Sequence, residues 1–354
     1  MRRPPERLVA KGRGDASSQC FPMIFPRYSF PLRQLMGGFA LLVALSVGAR
    51  EAGVRLTELS DRVRVEIDGE LFTEYHFRTG SKPFLFPLIG PGGAAMTRAF
   101  PMQQVPGESQ DHRHHRGVFF GHGSINGVDF WREPPSKAGR IVHATFEELQ
   151  SGRESALIRT RNSLLAPEGS RLGAVELSIR VLRSPHGRTI DFDVTLIATE
   201  GELVLGDTKE GTMALRVPDS MIVRHSQPGA VKPYRMGEGR IINSEGQRDD
   251  DAWGRRAKWV DYFGPVNGRT VGVALFDHPA NPRHPTWWHV RDYGLLAANP
   301  FGVHDFERLE NPDAGVMRIP ARQSRTFRYR LFLHMGDPQA AKVGERYADY
   351  AAER

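Results

Sequence analysis

"DRVRVEIDGELFTEYHF", Asp61–Phe77, alternates Val63, Val65 and Ile67, breaks at Asp68-Gly69, and resumes through Leu71, Phe72 and Tyr75. Alternation sends successive side chains to opposite faces of a strand, and an Asp-Gly pair supplies the left-handed residues of a two-residue turn. The stretch predicts a β-hairpin, and the same pattern recurs along the rest of the chain. "ESALIRTRNSLL", "AVELSIRVLR", "RTIDFDVTLIAT", "TVGVALFD" and "RTFRYRLFLHMG" are likewise short, rich in β-branched residues, and separated by Gly, Pro, Asn or Asp. No strand–helix alternation of the parallel α/β kind interrupts them. One helix closes the chain, with Asp337 as N-cap and Pro338 in the first turn of "QAAKVGERYADYAAE". The expectation is a mainly β protein: one large antiparallel β-sandwich, supersandwich-like, over residues 50–354, with a short C-terminal helix.

Ahead of it, "MGGFALLVALSVGA" (Met36–Ala49) is an apolar run preceded by Arg27 and Arg33 and ending in Val47-Gly48-Ala49. This is the layout of a secretory signal peptide, too short to span a bilayer comfortably. Residues 1–49 are expected to be a leader, with translation starting at Met23 or Met36 and cleavage before Arg50. The mature protein would be periplasmic or extracellular, without stable membrane insertion. The formal charge of +7 shrinks once the leader is set aside, because seven basic and two acidic residues leave with it and 41 face 39. No Lys/Arg block remains to make the concentrated basic face that nucleic acid requires, so that partner is excluded. The single cysteine, Cys20, precedes the apolar run, so a metal in the mature chain would have only His, Asp or Glu as ligands.

Four blocks could carry chemistry. "DHRHHRGVFFGHG" (Asp111–Gly123) holds four of the thirteen histidines. In an extended chain His112 and His114 share one face and His115 takes the other, and His122 comes after the apolar run Val118-Phe119-Phe120. Two imidazoles on one strand face can present themselves to one ion, which makes His112, His114 and His122 the candidate metal ligands. Equally, these residues could line a pocket, or be polar turn residues bonded to loop carbonyls. "GSINGVDFW" sets Asp129 beside Phe130 and Trp131, a carboxylate and aromatic planes that suit sugar rings unless the aromatics are core. "GDTKEG" places Asp207 and Glu210 within one turn, and paired carboxylates can split their pKa values to act as acid and base. A solvated charged turn is the alternative there. "FDHPANPRHPTWWHVRDYGLLAANPFG" gathers Trp288, His289, Arg291, Asp292 and Asn299. His289 reads as a general base and Arg291 as an oxyanion stabiliser, or Arg291 and Asp292 as an internal ion pair. No phosphate-binding loop, dinucleotide fingerprint or Gly-x-Ser-x-Gly elbow is present.

At "HHRGVFFGHGSINGVDFW", "DTKEGTMALRV", "WGRRAKWVDYFG", the 276–302 block and "YRLFLHMGD", the chain resembles the PmoA-like family, bacterial proteins of unknown function. The resemblance covers most of residues 82–337 and implies a supersandwich like that of aldose epimerases and related sugar-active proteins.

Three functions are expected on these grounds. The first is an exported carbohydrate-active enzyme doing epimerisation, elimination or hydrolysis on a small-molecule or oligosaccharide substrate. Its acid/base pair would be His115 and His289, with Asp207 or Glu210 as carboxylate and Arg291 as charge stabiliser; His122, Asp129, Trp131, Trp288, Asp292 and Asn299 would contact substrate. The second is a metal-dependent oxidoreductase with copper or iron on the imidazoles; zinc would also suit such a site. The third is a non-catalytic glycan-binding module.

Overall fold

The computed structural model describes residues 52–133, 137–226 and 234–353; the leader expected over residues 1–49 lies outside them. Arg62–Ile67 pairs antiparallel with Glu70–His76, and Asp68 (φ 52°) and Gly69 (φ 74°) make the turn between them. Two consecutive positive φ values match the right-handed twist of a hairpin, which is why an Asp-Gly pair sits there.

The hairpin opens an eight-stranded antiparallel sheet ordered Val54–Glu58, Arg62–Ile67, Glu70–His76, Phe84–Leu88, Val118–His122, Gly211–Arg216, Leu295–Asn299, Trp287–Trp288. A second antiparallel sheet runs Arg240–Asn243, Trp259–Val266, Arg269–Asp277, Ser324–Met335, Gly187–Ile197, Arg171–Ser184, Ser155–Leu165, Arg140–Gln150. Strand alternation sorts the apolar residues into three layers. Val118, Phe120, Met213, Leu215, Leu296 and Ala298 face the second sheet and meet residues such as Ile158, Val194, Val273 and Leu331. Their neighbours Phe119, Ala214, Leu295 and Ala297 point the other way, into a cluster with Phe84, Phe86 and Trp131. Strands covered on both faces need apolar residues at every position, hence the unbroken runs "VFF", "MAL" and "LLAA".

The C-terminal helix covers the far side of the second sheet, setting Val343, Tyr347 and Tyr350 on Ala274, Phe276 and Phe332. It spans Val343–Ala352, starting later than Asp337 and Pro338 imply. Asp337 Oδ1 does accept the Ala340 N–H, but Lys342 is left-handed (φ 55°) and separates that turn from the helix. A short helix at Val303–Glu307 was not expected from sequence. Asp207, from a distant loop, accepts the His304 N–H and so caps it through a tertiary contact. No helix among the described residues is long and apolar enough to cross a membrane.

Candidate functional site

The segment before Val118 is a turn, not a strand. His112 is left-handed (φ 39°) and the His115 N–H donates to the His112 carbonyl at 2.9 Å. The extended-chain separation of His112 and His114 from His115 is therefore corrected: the turn gathers all three. His112 and His115 lie parallel with ring centroids 4.9 Å apart, and His114 stands edge-on to His115 at 4.4 Å and to His112 at 5.7 Å. Gly117 (φ 51°) makes the entry into the strand possible, because a Cβ there would sit 2.0 Å from the Leu85 carbonyl oxygen.

This cluster stands on the face of the first sheet that carries Phe119 and Ala214. Trp131, fully buried, packs edge-on to His115 at 5.5 Å and against Phe119 at 5.1 Å. On the other side Tyr293 stacks on His112 at 5.0 Å, within 7° of parallel. The Arg216 guanidinium lies 4.7 Å and that of Arg291 5.6 Å from the Tyr293 ring, and Arg291 also reaches Trp253 at 6.0 Å. Trp253 in turn meets His289 edge-on at 6.4 Å. The face thus presents a chain of contacts from His115 through His112, Tyr293, Arg291 and Trp253 to His289. Glu210 lies close enough for its charge to act on the Tyr293 hydroxyl.

Electrostatics at this face are set by burial. Desolvation holds His115 well below the ordinary imidazole range and pushes His114 down to about 3, with the charge of Lys82 adding to the shift. Burial also pushes His289 down to about 4, against the pull of the Lys209 carbonyl oxygen 2.5 Å from its Nδ1. These rings are neutral near pH 7 and can accept a proton. Behind them, Asp111 receives Arg98, Arg216 at 2.9 Å and His112 Nδ1 at 3.3 Å. Burial would raise its carboxyl, but the His112 hydrogen bond and the two guanidiniums hold it well below the usual range. Among the described residues, His115 Nδ1, Trp131 Nε1, Arg98 Nε, and Arg216 Nε and Nη1 are buried without a hydrogen-bond partner.

Several expected site residues serve the fold instead. His122 shares the inner face of its strand with Val118 and Phe120, bonds the Gly206 carbonyl through Nε2 at 2.9 Å, and packs on Phe301. Strand alternation thus keeps it from His112 and His114, so that trio does not converge. Among the described residues, no group of three or more His, Cys, Asp or Glu is placed to hold a metal. Asp207 Oδ2 accepts the His304 and Gly315 N–H groups at 2.8 and 2.6 Å, which turns it towards that loop. Asn299 accepts from Phe301 and Gly302 N–H and donates to the Thr208 carbonyl. Asp129 accepts the Trp131 and Arg132 N–H groups, and Asp292 pairs with Arg224 at 3.0 Å. Asp207, Asn299 and Asp129 satisfy loop backbone, and Asp292 shares the half-buried Arg224 with Asp250. Trp288 is core, its Nε1 donating to the Ala257 carbonyl, and buried Trp131 offers no open face to a sugar.

Sequence reasoning did not assign roles to Tyr293, Arg216, Arg98 or Asp111. The available signal was a charge ending an apolar run in "GTMALR" and another inside "AAMTRAF". An arginine at such a position is buried and needs a partner.

The fold and site together describe an antiparallel β-sandwich with a histidine- and arginine-lined face on one sheet. Residues 62–348 match the family of unknown function DUF6807, and the chain belongs to that family. The PmoA-like resemblance is not shown by this match. No curated protein matches the chain. Among solved structures, a galactose mutarotase-related enzyme from Lactobacillus acidophilus is 9% identical, covering 79% of this chain and 97% of that one, with a TM-score of 0.32. A galactose mutarotase-like protein from Lactobacillus casei is 10% identical, covering 80% and 100%, also at 0.32. At these scores neither bears on what this chain does.

Proposed function

We propose that the face around His112, His114 and His115 is the site of an exported carbohydrate-active enzyme working by acid/base chemistry. The observation that carries this is the gathering of three imidazoles, those of His114 and His115 kept neutral by burial, beside Tyr293, Arg291 and Glu210 on one sheet face. A neutral imidazole accepts a proton from a sugar carbon or hydroxyl, the half-buried Tyr293 hydroxyl returns one, and Arg291 stabilises negative charge on oxygen. His289 stands at the far end of the same contact chain and is the candidate for a second acid/base group. Epimerisation, elimination and hydrolysis all fit those roles. Export rests on the leader over residues 1–49.

Incubating the protein with aldoses, uronic acids, keto-sugars and oligosaccharides and following products by NMR tests this. Turnover that falls about 100-fold or more in His115→Ala is expected. No product with any sugar, or full turnover in both His115→Ala and His289→Ala, would sink it. One observation favours a non-catalytic glycan-binding module as the second reading: burial makes His114 and His115 weak bases. Sugar binding without turnover, surviving every histidine substitution, is what that reading requires.

A further inference from the structure

Two guanidiniums are buried behind the histidine cluster, with side-chain exposures of 0% for Arg98 and 1% for Arg216. They share the Asp111 carboxylate. The next carboxylate, Asp219, is turned onto the Ser109 N–H and hydroxyl at 2.6 and 2.8 Å. Arg98 also donates to the carbonyls of Ser109 and His112, whereas among the described residues the Arg216 guanidinium donates to Asp111 alone. A buried cation short of acceptors is costly, as is each buried N–H left unpaired. Among the described residues Arg216 Nε and Nη1 stay unpaired, and Arg216 meets His112 by two routes: it packs on Tyr293, which stacks on His112, and it shares the Asp111 carboxylate with His112 Nδ1.

His112 is the middle slice of that cluster. Its ring lies parallel between His115 and Tyr293, yet its side chain is 40% exposed and its backbone is left-handed, a conformation non-glycine residues enter at some cost. We propose that His112 fills a slot which in the working protein takes the carboxylate of an acidic sugar, accepted by the free N–H groups of Arg216. This rests on the carbohydrate reading above and names its substrate class. A carboxylate has only acceptors to offer, which is what these donors lack. A single negative charge suits the slot better than a phosphate dianion, because Asp111, Asp219 and Glu210 stand nearby. The bound carboxylate would also favour the protonated form of His115, against the burial that holds its pKa low.

The experiment is calorimetric titration of the full chain with glucuronate and galacturonate, with glucose and galactose, and with glucose 6-phosphate, at two salt concentrations. Uronates should bind about tenfold or more tighter than the neutral sugars, with the gap narrowing in salt, and Arg216→Gln should abolish the preference. Because Arg216 is buried and its variant could unfold, His112→Ala is the second arm: with no ring to displace, uronate affinity should rise about threefold or more. Equal affinity for uronates and neutral sugars, tighter binding of the phosphate, or an unchanged His112→Ala affinity would each overturn the proposal. Neutral sugars turned over as fast as uronates would leave the enzyme reading standing while this one falls. Uronate binding as described but without turnover would do the reverse.

Discussion

His112 stacks face to face on Tyr293, ring centroids 5.0 Å apart and planes within 7°, although one residue precedes the fifth strand of the first sheet and the other lies in the turn before its seventh. That contact joins two loops which share no sequence signal, and it holds the histidine turn against the arginine pair behind it.

Tyr293 offers its ring to His112, Arg216 and Arg291 at once. Tyr293→Leu is expected to lower unfolding stability by about 1–2 kcal/mol, and Tyr293→Phe by less than about 0.5 kcal/mol, since the ring rather than the hydroxyl makes the contacts. Urea midpoints of the two variants check this; equal midpoints would mean the stack contributes nothing.

Trp131 is the floor of the cluster. Trp131→Ala should cost roughly 3–5 kcal/mol, because a fully buried indole leaves a cavity that Phe119 and His115 cannot fill. The same variant should bring the imidazole resonances of His114 and His115 towards solvent-like titration. Unshifted histidine titrations in a folded Trp131→Ala protein would show that Trp131 does not set their environment.

Acid lability has a definite window. Burial lowers the folded-state pKa of both His122 and His289 to about 4, below the ordinary 6.5 that each regains on unfolding. Their contribution is complete above about pH 6.5 and is lost as pH falls towards 4, since the unfolded chain then binds protons the folded one refuses. At about 1.4 kcal/mol per pKa unit, each withdraws roughly 3 kcal/mol across that range. Urea midpoints should therefore drop steadily between pH 6.5 and 4.5, and His122→Gln should flatten part of the slope. His334 works in the opposite sense: burial opposes its charge, but the Asp261 carboxylate at 3.2 Å prevails and raises its pKa. Its contribution is present below about pH 6.5 and is lost as pH rises through its folded value, so His334→Gln should cost more stability at pH 6 than at pH 9.

Arg330 ties the C-terminal helix to the second sheet, pairing with Asp191 at 2.6 Å and Glu353 at 2.8 Å. Arg330→Ala is expected to cost about 2–3 kcal/mol, less than a fully buried pair because Glu353 is largely exposed. Hydrogen exchange should show the helix opening before the sheet. Protection of Val343–Ala352 at wild-type levels would contradict this.

The hairpin at Asp68-Gly69, the alternating strands and the both-face-buried runs were legible because their causes are local: residue periodicity and turn stereochemistry act over a few positions. The presence of a histidine cluster was legible for the same reason. Its arrangement was not. Alternation separates His114 from His115 only if the segment is extended, and a left-handed His112 closes it into a turn. Asp207, Asn299 and Asp129 looked like chemistry because carboxylates and amides in turns look alike whether they meet substrate or backbone N–H groups. Sequence by itself determined the sheet-forming character of the chain and the presence of its histidine cluster, since those arise from short-range pattern. Only the tertiary structure decided which face His122 takes, that Arg98 and Arg216 are buried on one carboxylate, and that Tyr293 stacks on His112, because those depend on strands brought together from distant parts of the chain.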